Sequence, residues 1–193
     1  MTSDIHHYNN GKPLNRSESI KRQLERDAAK HFLRLYEQAH GISMRNIWHN
    51  EPSKPDISCH LEGRPLDLEI AHLYASKSEA KILSNELIEE AGNSNESLDP
   101  SEKELELIHY LSDLVEMDSQ KCLSTALARL LHSKAKKHYD SPRVWLVIRN
   151  ASPLWRVDDF RRCIAHFHMP ENPFEQIWLL PEFDGSQLPI QIC

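Results

Sequence analysis

Two short, almost wholly apolar runs constrain this chain more than any other feature: 144–148 (VWLVI) and 177–180 (IWLL). A strand that is apolar on both faces has to be covered on both, which is the condition of a central strand between helices. Residues 158–167 between the two runs carry a short helical pattern, so the order is strand, helix, strand. That order predicts an α/β fold with a mixed sheet.

The remaining elements fit around these strands. Ile20, Leu24, Ala28, Phe32, Leu35 and Ala39 recur at three- and four-residue steps and Gly41 follows them, predicting an amphipathic helix over 17–40. Residues 1–16 show no periodicity and read as a flexible leader, leaving 17–193 as one domain. Residues 46–49 predict a short strand and 51–55 a loop. Ile57, Cys59 and Leu61 then alternate with polar residues, as do Leu66, Leu68 and Ile70, and Glu62-Gly63 between them signals a tight turn. A hairpin follows, whose second strand presents Asp67 and Glu69 on one face. Helices are expected over 76–91, from the cap at Asp99-Pro100-Ser101-Glu102 with Leu105, Ile108, Leu111 and Val115 inward, and from 118 or 119 to about 139. The segment 92–98 (GNSNESL) reads as a polar loop.

Composition narrows the function classes. With 193 residues, 39% hydrophobic and 27% charged, the chain has the balance of a globular protein of about one domain. No run approaches the roughly 20 apolar residues of a membrane span. The opening MTSDIHHYNN lacks a basic flank and an apolar stretch, so no secretory signal is read there and a cytoplasmic protein is expected. Cys59, Cys122, Cys163 and Cys193 show no CxxC spacing, which argues against zinc knuckles and redox pairs. The 12 histidines form no HExxH or finger spacing, and 5 glycines leave no phosphate-cradling loop. The 23 Lys+Arg against 29 Asp+Glu give a net charge of −6, which excludes a protein held to nucleic acid by general phosphate attraction. Basic residues nevertheless gather in the second half, at Lys134, Lys136, Lys137 and His138 and at Arg143, Arg149, Arg156, Arg161 and Arg162. Trp48, Trp145, Trp155 and Trp178 lie mostly in strand-like contexts and read as core.

The informative pattern is Lys54-Pro55-Asp56-Ile57, twelve residues, then Glu69. Asp56 opens one hairpin strand and Glu69 lies in the next, so the turn can bring two carboxylates together. Paired carboxylates at a sheet edge suit a hard divalent cation such as Mg²⁺, which takes oxygen ligands and keeps waters.

Pro55-Asp56, the hairpin, Asp67-Leu68-Glu69-Ile70-Ala71 and the order of elements over 18–150 resemble the PD-(D/E)XK nuclease superfamily, the restriction-endonuclease-like fold. The resemblance implies an αβββαβ core and a nuclease acting on nucleic acid, most naturally DNA. It makes Asp56 and Glu69 the Mg²⁺ ligands, with Mn²⁺ able to substitute, and calls for a lysine that orients or activates water. Ala71 stands where that lysine is expected. In some members the lysine comes from the following core helix. Lys134, four residues after Leu130, continues the apolar stripe there, with Lys137 as second choice and Lys136 rotated away. Otherwise Asp67 and Glu69 form the acidic pair, with Glu69 itself in the lysine position. A further acid from the first helix is expected, Glu25 by preference over Glu18 and Asp27. The missing lysine at Ala71 also motivates a degenerate nuclease fold that binds nucleic acid or a protein without catalysis.

Overall fold

The computed structural model describes residues 8–9, 12–13, 16–50, 55–90, 105, 107–112, 118–182 and 186–193. The expected loop at 92–98 and the cap at 99–102 lie outside the described residues, as do Val115 and most of 51–55. Among the described residues the two-residue strands β1 (Tyr8–Asn9) and β2 (Lys12–Pro13) pair with each other within the expected leader. Helix α1 (Arg16–His40) comes next, then β3 (Met44–His49), β4 (Ile57–Leu61) and β5 (Arg64–Leu73). Helix α2 (Lys77–Glu90), a helical stretch at 107–112 and helix α3 (Ser119–Ala135) follow. The chain closes with β6 (Val144–Asn150), helix α4 (Val157–His166), β7 (Gln176–Leu180) and β8 (Ile190–Gln191).

The fold is α/β, built on a six-stranded mixed sheet in the order β3-β4-β5-β6-β7-β8. β3, β4 and β5 are antiparallel neighbours, whereas β5, β6 and β7 run parallel. The β4–β5 turn has positive φ at both Glu62 (52°) and Gly63 (76°), the geometry of a two-residue hairpin whose twist matches its strands. Ile57, Cys59, Leu66, Leu68 and Ile70 bury one sheet face under Phe32, Leu35 and Tyr36 of α1. Ala71, Val144, Leu146 and Ile148 bury the other face under Leu123, Leu127 and Leu131 of α3 and Phe160 of α4. Two-sided coverage explains why the β6 and β7 runs are apolar throughout.

Three expectations are corrected. Helix α3 stops at Ala135, with Lys136 as its C-cap, so 136–139 leave the helix axis. Leu105, Ile108 and Leu111 are exposed instead of buried. In the same stretch the Tyr110 hydroxyl hydrogen-bonds the buried Glu79. Trp145, Trp155 and Trp178 are core residues, but Trp48 on the edge strand β3 is 48% exposed, because neither the α3 nor the α4 layer extends over that edge.

Candidate functional site

The hairpin register builds the acidic pair. Ile57 is paired with Leu68, so the preceding residue, Asp56, falls across from Glu69. Asp56 Oδ2 accepts a hydrogen bond of 2.7 Å from the Ile70 backbone N–H, which locks the carboxylate at the head of β4 against the middle of β5. Glu69 is 2% exposed. A buried carboxylate needs hydrogen-bonded cations, and α3 provides them. Lys134 Nζ lies 2.6 Å from Glu69 Oε1 and also donates to the Ile70 carbonyl at 3.0 Å. Lys137, just past the helix end, reaches the same Glu69 oxygen at 2.8 Å.

Both lysines singled out on the α3 stripe therefore meet Glu69. They differ in setting: the Lys134 side chain is 19% exposed and that of Lys137 54%. Lys136 makes no contact with Glu69, consistent with its rotation away. The pairing raises the Lys137 pKa although burial alone would lower it.

Asp56 titrates abnormally. Its pKa is pushed up to about 6, chiefly by burial and then by the negative charges of Glu69 and Glu25, against the opposing Ile70 N–H and Lys134. Glu25 is thus electrostatically part of the same cluster. It is 5% exposed on α1, whereas Glu18 is exposed and Asp27 is held by Gln23 on the same helix. His49 Nε2 faces Glu25 Oε2 at 3.7 Å, an ion-pair distance too long for a strong hydrogen bond, and Lys21 approaches it at 3.6 Å. Interaction with Glu25 raises the His49 pKa. For Glu25 burial acts upward, but His49 and Lys21 outweigh it and the net shift is down.

Asp67 shares the sheet face of Glu69 but is not its partner. Its carboxylate accepts the Ser58 hydroxyl, which in turn accepts from Asn50 Nδ2 at 2.7 Å.

Two contributors were missed in the sequence. His49, at the end of β3, is half-buried beside the exposed Trp48 and faces Glu25, and no sequence spacing marks it. Tyr139, expected at the helix end, lies beyond it and donates to the Lys134 carbonyl at 3.3 Å. Burial and the charges of Glu69 and Asp56 raise its pKa. Of the second-half arginines, Arg143, Arg161 and Arg162 are paired with Glu175, Asp158 and Asp159, which takes much of the charge out of the expected basic patch.

Among the described residues no group of three or more His, Cys, Asp or Glu side chains is gathered as a metal cage. Mg²⁺ does not require one, since one or two carboxylates with waters and substrate oxygens are its usual protein site. The donor set fits such an ion: Asp56 Oδ1 and Glu69 Oε2 are not used in the hydrogen bonds above, and Asp56 is destabilised as an anion by its acidic neighbours, a strain that a cation relieves. No helix among the described residues is long and apolar enough to cross a membrane. No protein-family model, curated protein or solved structure matches the chain.

Proposed function

We propose that this chain is a metal-dependent nuclease of restriction-endonuclease-like architecture that hydrolyses phosphodiester bonds in DNA. The observation that carries the reading is that Asp56, at a strand entrance, lies across from Glu69 on the neighbouring strand and feels its charge, while Lys134 from a separate helix binds Glu69. The order α1, three antiparallel strands, α3 and the parallel β6 agrees with an αβββαβ core.

In this reading Asp56 and Glu69 hold Mg²⁺ or Mn²⁺. Such an ion, held by these two carboxylates, would supply polarisation of a phosphoryl oxygen and a lowered pKa for bound water. The Lys134 ammonium has three donors, of which Glu69 and the Ile70 carbonyl take two. The third is directed by these two anchors and serves to hold the attacking water or a phosphate oxygen. Glu25 completes the acidic cluster, with His49 beside it at ion-pair distance.

A second reading has its own observation. Lys134 and Lys137 both occupy Glu69 Oε1, so the protein's own cations already neutralise that carboxylate. A degenerate fold that binds nucleic acid without cutting it would be built this way. Incubation of the purified protein with supercoiled and linear DNA in Mg²⁺ or Mn²⁺ decides between them. Cleavage that is lost in Asp56→Ala and Glu69→Ala, with circular dichroism unchanged, is the expected result. Cleavage surviving both substitutions, or none by the unaltered protein, overturns the nuclease reading.

A further inference from the structure

The exposed Trp48 sits in a setting that an ordinary surface residue does not have. It is paired with Ser58, and Ser58 with Asp67, so Trp48, Ser58 and Asp67 form one cross-strand row that ends two residues from Glu69 on the same strand face. Two strand spacings make that row about 10 Å long. The Trp48 ring approaches His60 of β4 with centroids 5.9 Å apart. On its other side Trp48 lines a groove of about 380 Å³ between α1 and β3, together with Arg26, Lys30 and His49. Arg45, paired with His60, is exposed on the same strand, and Arg26, Lys30 and Arg45 form no ion pair with a described residue.

We propose that Trp48, backed by His60 and flanked by Arg26, Lys30 and Arg45, is a stacking platform for an unpaired nucleobase, so that the site takes a single-stranded or frayed nucleic acid. The proposal rests on the nuclease reading for its substrate class and deepens it. Charge complementarity selects the occupant. Arg26 and Lys30 line the same groove as Trp48, Arg45 is exposed on the same strand, and none of the three forms an ion pair among the described residues; positive charge beside an exposed indole matches phosphates beside a base, since stacking on an aromatic face needs no particular base while the backbone needs positive charge. A second copy of the chain adding a strand to this edge is disfavoured by β3 itself. Its register shifts between Arg45 and Trp48 and Asn46 has φ 53°, an irregularity that interrupts the regular ladder a new strand would need.

The test is fluorescence anisotropy of labelled (dT)12 and of a 12-base-pair duplex with the full chain in EDTA, where binding is read without cleavage. Trp48→Ala is expected to weaken (dT)12 binding by about fivefold or more, the effect of losing one stacked base, while Trp48→Phe stays within about twofold of the parent. Arg26→Glu with Lys30→Glu is expected to weaken binding and flatten its salt dependence. Should the alanine variant melt, Trp48→Leu is compared with Trp48→Phe in folded protein, and strong Phe with weak Leu supports the platform. Equal binding by parent, Ala (or Leu) and Phe variants overturns it, as does absence of (dT)12 binding by the parent. A dimer in sedimentation velocity that Trp48→Ala dissolves, with (dT)12 binding unchanged, overturns it in favour of a protein interface. Trp48-dependent binding without any cleavage sinks only the nuclease reading; cleavage with Trp48-independent binding sinks only the platform.

Discussion

Lys134 on α3 and Glu69 on β5 are 65 residues apart in the chain, yet their Nζ and Oε1 atoms are 2.6 Å apart in a largely buried pair. An ion pair in such a place is costly to desolvate and contributes little net stability over an apolar pair, so its presence on an otherwise apolar interface points to chemistry.

The two lysines on Glu69 are expected to separate in function. Lys134 has a second anchor at the Ile70 carbonyl and little exposure, whereas Lys137 is more than half exposed and, among the described residues, is anchored at Glu69 alone. Lys134→Ala should lower kcat for DNA cleavage by roughly 10²–10⁴-fold, the usual contribution of a positioned proton-transfer group. Lys137→Ala should lower it by about tenfold or less. Single-turnover cleavage of a labelled oligonucleotide measures both, and equal losses would refute the assignment.

Asp56 is expected to destabilise the metal-free protein above about pH 6. Its pKa rises from 3.8 to about 6 on folding, so between those values the folded state holds a proton that the unfolded state has released. This contribution to stability is full below about pH 4 and is lost as pH rises through 6. Asp56→Asn keeps an acceptor for the Ile70 N–H without the charge. In EDTA it should unfold in urea about 1–3 kcal/mol later than the parent at pH 8, with the gap closing towards pH 4. A gap that does not change with pH would show that burial and the neighbouring acids are not the cause.

Metal binding should carry the same signature. The ion has to displace the Asp56 proton, so apparent affinity for Mn²⁺ is expected to climb with pH up to about 6 and level off above it. Isothermal titration across pH 5–8 measures this, and the climb should vanish in Asp56→Asn. A flat profile in the parent would remove Asp56 from the ligand set.

Away from the site, Glu79 is 1% exposed and accepts from the Ala75 N–H at 2.6 Å and the Ser152 hydroxyl at 2.8 Å, tying the start of α2 to the loop after β6. Glu79→Ala leaves those donors buried and unpaired. It should cost about 2–4 kcal/mol in urea unfolding while leaving the DNA-cleavage rate of the folded protein unchanged. A loss below about 0.5 kcal/mol, within the spread of ordinary surface changes, would mean that water replaces the carboxylate.

Much of this protein was legible in its amino-acid order because it depends on local periodicity. The 3.6-residue stripe of α1, the two-residue alternation of β4 and β5, the Glu62-Gly63 turn and the apolar β6 and β7 runs all lie within a few residues of one another. The pairing of Asp56 with Glu69 was also legible, since a tight turn between two strands sets their register. Tertiary structure decided the rest. Which lysine meets Glu69 depends on how α3 lies across the sheet and where it ends; Lys136 and Lys137 are adjacent in sequence, but only Lys137 reaches the carboxylate. Choosing Glu25 over Glu18 and Asp27 required the angle of α1 on β3 and β5. The exposed Leu105, Ile108 and Leu111 and the exposed Trp48 defeated the apolar pattern for one reason: hydrophobicity states what burial would gain, whereas only the placement of neighbouring elements determines whether anything is there to bury against.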